Sequence, residues 1–157
     1  MSISDLLSNK PVLIGLHLVF AILGIDLFLW LAGEVIANPI GRLRMRLVAI
    51  FGVISFTLTW IMGGYYYVVY YGSLVKPVIK AGAAPWAHAI AMEAKEHLFL
   101  FIIPLALTAV FLSFLKKEQI ESFGLKRTFL SLTVLVAFLG LFLGLLGYII
   151  SAAARWA

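Results

Sequence analysis

The chain contains no cysteine, and only 12% of its 157 residues are charged. The first absence excludes disulfides, iron–sulfur clusters and thiolate metal sites. The second excludes an ordinary soluble domain, in which about 25% of residues carry charge. Histidine is also scarce: His17, His88 and His97 are the only three. There is no phosphate-binding loop, no serine or threonine triad and no arginine-rich sensor helix. The apolar stretches carry no polar stripe of the kind that lines a pore. No internal repeat or low-complexity segment is present.

What the chain does have is apolar length, with 64% hydrophobic residues. A bilayer core about 30 Å thick needs roughly 20 apolar residues in a helix rising 1.5 Å per residue. Four runs meet that requirement, at about 11–33, 47–75, 98–115 and 129–150. They predict an all-α integral membrane protein, a four-helix up-down bundle forming one domain over 1–157. Pro11 suits a first helical position, where its missing N–H would be unpaired anyway. The first run is long enough to span, and only Lys10 precedes it beside Asp5, so no cleavable signal is read here.

The net charge of +5 reads as membrane-flanking Lys and Arg rather than as a nucleic-acid surface. Arg42, Arg44 and Arg46 in the first connection join Lys116, Lys117, Lys126 and Arg127 in the third. Lys10, Lys76, Lys80, Lys95 and Arg155 occupy the other side. The positive-inside rule then places both termini outside. Tyr65, Tyr66, Tyr67, Tyr70 and Tyr71, with Tyr148 and Trp156, would form an outer aromatic belt. The second connection holds the turn signal Gly82-Ala83-Ala84-Pro85. Residues 86–97 then read as an amphipathic helical extension of the third span.

An ionisable side chain at membrane depth is a functional-site candidate. His17 lies 17 residues above Glu34, about 26 Å, and His97 lies 19 residues above Lys116, about 29 Å. The two imidazoles are therefore level within about one turn, on helices that sit diagonally in an up-down bundle. The same count reaches Gly63 and Gly64 on the second span, and Gly144 with nearby Gly147 on the fourth. Glycine lets a group approach the backbone closely. The layer predicts a haem b gripped by His17 and His97, bordered by Gly63, Gly64 and Gly144. Its propionates would point to Lys76, Lys80, Lys95 and Arg155. Two neutral imidazoles on one haem suit electron transfer. The alternative for the glycines is helix packing through small-xxx-small patterns. For each histidine it is a ring bonded to a backbone carbonyl or water.

A non-haem metal is the second candidate. Glu93 and His97 share a helical face, and with His17 they offer two nitrogens and a carboxylate, suited to zinc, copper or non-haem iron. His88 and Met92 could add a ligand, although His88 also reads as exposed or packed in the loop. Asp26 stands apart, on the opposite face of the first span from His17. It reads as part of a proton path, as an interface with a second subunit, or as a partner of Thr57 or Thr59. Glu34 reads as interfacial.

Three features carry a resemblance. They are Leu16-His17-Leu18-Val19-Phe20 in the first span, Gly63-Gly64 with following aromatics at the outer end of the second, and Lys95-Glu96-His97-Leu98-Phe99 opening the third. The layout resembles the haem-binding membrane protoporphyrinogen oxidases and, more loosely, the copper-resistance D-like membrane proteins. In the oxidases the third span opens with His-x-Lys. Here the order is reversed, Lys95-x-His97, and the first span lacks that family's tryptophan and arginine pattern. The resemblance implies His17 and His97 as haem contacts; the porphyrinogen-oxidising activity is not carried over. The resulting expectation is a membrane b-type haem protein of a bacterial or archaeal inner membrane. It would exchange electrons with a quinone or a periplasmic redox protein, as a homo-oligomer or within a larger membrane complex. The other readings are a copper, iron or zinc protein and a non-catalytic accessory subunit.

Overall fold

A computed structural model describes residues 3–37 and 42–156, and among them every regular element is helical. Residues 38–41 of the first connection lie outside the described residues. Helix α1 (Ile3–Ser8) leads into α2 (Lys10–Ala37), whose start is capped by Asn9, its Oδ1 accepting from Val12 N at 3.3 Å. Helix α3 (Leu43–Tyr66) runs on into a π-helical segment, Tyr67–Val75, and then α4 (Lys76–Ala81). A second π-helical segment, Ala87–Met92, opens α5 (Glu93–Phe114). Helix α6 (Lys117–Ser122) closes on Gly124, whose φ of +63° is the left-handed conformation glycine adopts freely. Helix α7 (Lys126–Arg155) follows.

Four continuous helices, Lys10–Ala37, Leu43–Ala81, Ala87–Phe114 and Lys126–Arg155, are long and apolar enough to cross a membrane. At 39 residues the second is about 58 Å long, well beyond the thickness of a bilayer core. Each long helix packs mainly on two neighbours, in the ring order α2, α3, α5, α7. The contacts join ends to starts. Glu34 of α2 binds Arg44 of α3, Arg46 of α3 lies over the Phe114 ring of α5, and Lys126 of α7 reaches the Ile36 carbonyl of α2. The same Glu34 carboxylate accepts from Trp30 Nε1 at 2.9 Å and from Arg44 Nε at 2.7 Å. Glu34 is thus buried and paired at this end of the bundle.

The centre of the bundle is built from aromatic rings seated on glycine. Phe28 and Phe56, both buried, pack against each other with centroids 5.6 Å apart and planes tilted by 37°. A methyl on Gly52 would lie 2.7 Å from the Phe28 ring, and one on Gly24 2.8 Å from the Phe56 ring. Each ring therefore fills the space left by a missing Cβ on the facing helix. By contrast, Trp60, Phe101, Phe111 and Phe138 point outward and are more than half exposed. Large apolar side chains directed outward from every long helix suit a lipid surround.

Candidate functional site

His17 occupies the wall between α2 and α3. Its Nδ1 lies 2.9 Å from the carbonyl oxygen of Thr59. A carbonyl only accepts, so Nδ1 carries the proton and donates. In the neutral ring this leaves the Nε2 lone pair free. The approach depends on Gly63, one turn beyond Thr59. A Cβ there would sit 2.5 Å from His17 Nδ1 and 2.6 Å from Cε1. The glycine is needed for close approach, as expected, but the group that approaches is the histidine ring.

Opposite this wall, α5 presents Lys95 rather than His97. Lys95 Nζ lies against Gly147 of α7, 3.1 Å from where a Cβ would be, and its charge acts on His17. Among the described residues Lys95 makes no ion pair. His97, two residues on and about 200° round the helix, is exposed on the outer surface of the bundle. Its Nδ1 donates to the Glu93 carbonyl at 2.7 Å, which also leaves Nε2 free. The two histidines expected to face each other are thus not brought together within the chain. Gly64 and Gly144 border open space rather than a side chain, and Gly144 lies on the surface.

The metal set is likewise dispersed. Glu93 is exposed, and among the described residues no three of His, Asp and Glu stand where they could share an ion. His88 is buried, not exposed; its Nδ1 lies 3.0 Å from the Tyr71 hydroxyl, and the two rings are tilted together. Asp26 is exposed midway along α2 and has no partner among the described residues. Thr57 and Thr59 instead donate their hydroxyls to the Val53 and Ser55 carbonyls of their own helix.

A polar layer that the sequence did not signal lies on the two π-helical segments and the start of α5. Tyr67 stacks on Tyr71 with centroids 5.2 Å apart, and its hydroxyl engages the Glu96 carboxyl. Glu96 Oε1 is buried without a hydrogen-bond partner. Tyr67, Tyr71 and His88 all lie on the two π-helical segments. Such wide turns re-aim side chains and recur at functional sites. Tyr71 is fully buried, so this part of the tyrosine cluster turns inward rather than joining a belt, while Tyr148 and Trp156 do face outward.

Chemically, the layer holds one imidazole with an unused nitrogen, one unpaired ammonium, one partly satisfied carboxyl and a phenol–imidazole pair. No protein-family model, curated protein or solved structure matches this chain.

Proposed function

We propose that the chain is a membrane b-type haem protein with a redox role, in which His17 would hold the haem from inside the bundle. In this reading the bundle is up-down, with both termini on the outer side of a cell membrane. The observation that carries it is the His17–Thr59 hydrogen bond. A ligand imidazole is oriented in just this way, by giving its other N–H to a backbone carbonyl or carboxylate. The bond fixes the ring and its tautomer and leaves Nε2 as a base among apolar helices.

The donor set fits haem at His17. A bis-histidine pair closed inside one chain does not fit, because His97 faces outward. When bound, haem supplies one-electron chemistry. The rest falls to the chain's own residues. Gly63 admits the His17 ring, and Lys95 offers positive charge to haem carboxylates. The Tyr71–His88 pair ties the two π-helical segments together at that end of the bundle. Electrons would pass to or from a quinone or a redox protein at that end.

The test is haem retention in two variants. His17→Ala is expected to lose the Soret band of the purified protein, whereas His97→Ala keeps it. Full haem content in His17→Ala removes the proposal. Loss in both variants restores a role for His97, as a ligand shared between two copies of the chain.

Asp26 favours a second reading, an accessory subunit of a membrane complex. A charged group at mid-membrane costs about 2.5–3.5 kcal/mol on insertion scales. Its exposure on α2 points to a partner outside the chain.

A further inference from the structure

The opposite end of the bundle carries a site that the haem reading does not use. Arg42, Arg46, Lys116, Lys117 and Glu118 line a pocket of about 230 Å³. Arg42 is only 9% exposed, yet among the described residues its Nε and Nη1 have no hydrogen-bond partner. Its Nη2 finds only the Met45 sulfur, at 3.0 Å. Arg46 Nε is buried and unpartnered as well. A buried, unpaired guanidinium N–H is costly, and more so beside a second cation. Loss of hydration and the Arg46 charge both push the Arg42 guanidinium below its ordinary pKa, with Glu118 partly opposing them.

Glu118 does not resolve the excess. It forms no ion pair among the described residues, and Lys117 instead approaches Glu121 at 3.9 Å. Four cations therefore face one carboxylate. Arg42 is also the N-cap of α3, and no side-chain hydrogen bond caps that helix among the described residues. Its first N–H groups and the positive end of its dipole are left for an anion. The pocket lies where Leu43 and Phe114 end two of the apolar helices, which on the proposed membrane reading is where lipid headgroups would meet the bundle.

We infer that this pocket binds a phosphate group, supplied by the headgroup of an anionic phospholipid. Arginine forks suit phosphate oxygens, and basic pockets between membrane helices hold acidic headgroups. A phosphate seated there takes up the Arg42 and Arg46 donors together.

The experiment is native mass spectrometry of the detergent-purified full chain with phosphatidylglycerol, phosphatidylcholine or inorganic phosphate. Phosphatidylglycerol is expected to bind in preference to phosphatidylcholine. Arg42→Gln is expected to weaken it about tenfold, the scale of a lost charge-assisted hydrogen bond. Arg42→Lys should fall between, keeping the charge and losing the fork. If Arg42 variants do not fold, Lys117→Gln at the half-buried rim is expected to weaken phosphatidylglycerol binding by a smaller factor. Inorganic phosphate binding that Arg42→Gln abolishes, with no preference between the lipids, supports the phosphate site and overturns the lipid source. Equal binding of both lipids, unchanged in Arg42→Gln and Lys117→Gln, with no phosphate binding, overturns the inference.

Discussion

A Gly63→Ala variant is expected to bind haem about 10–100-fold more weakly than the parent, the usual loss when the group orienting a ligand imidazole is removed. The new methyl would sit 2.5 Å from His17 Nδ1, so the ring has to leave the Thr59 carbonyl. The freed N–H loses a bond worth about 1 kcal/mol net, and Nε2 no longer has a fixed direction. Thermal stability is a poor readout here, because alanine improves a helix by roughly 0.5–1 kcal/mol over glycine and offsets the strain. Haem titration separates the effects. Gly64→Ala is the matched control: nothing lies within 4 Å of its added carbon, so its affinity should equal the parent's. Equal affinities in both variants would mean that the Thr59 bond does not orient a ligand.

Phe28→Ala is expected to give the largest loss of stability of any single truncation in the bundle. Phe28 is fully buried, is seated on Gly52 and packs at a tilt against Phe56. In soluble cores such a truncation costs about 3–5 kcal/mol. Part of that figure is transfer out of water, which is absent when lipid is as apolar as the core. The cavity and lost dispersion remain, leaving about 2–3 kcal/mol. Glycines 24 and 52 have no side chain with which to fill the hole. Thermal unfolding in detergent checks it against Phe138→Ala, whose ring is 60% exposed and whose loss should be within about 0.5 kcal/mol. Similar melting shifts for the two would show that the Phe28–Phe56 pair is not the packing centre.

Four apolar runs were legible because a bilayer sets a minimum length, and the helices appear where those runs lie. Depth was legible too, since helix rise is fixed: His17 and Gly63 do meet. Direction was not. A membrane helix is apolar all round, so periodicity does not tell the packed face from the lipid face. Lys95 and His97 lie at one depth and on opposite sides of α5, and counting residues from the helix end could not say which turns inward. The π-helical segments rotate Tyr71 and His88 into the interior, and no residue type announces a wide turn. The seven basic residues were legible as a charged end. That Arg42 is buried there with unpaired donors depends on how α3 and α5 meet, which no local pattern records.

The most direct measurement is the absorption spectrum of the detergent-purified protein, oxidised and then reduced with dithionite, after expression with ample haem supply and with metal analysis of the same sample. The account predicts a Soret band and sharp reduced α and β bands, with about one iron per chain. A colourless, iron-free protein would contradict it and shift the weight to the complex-subunit reading carried by Asp26.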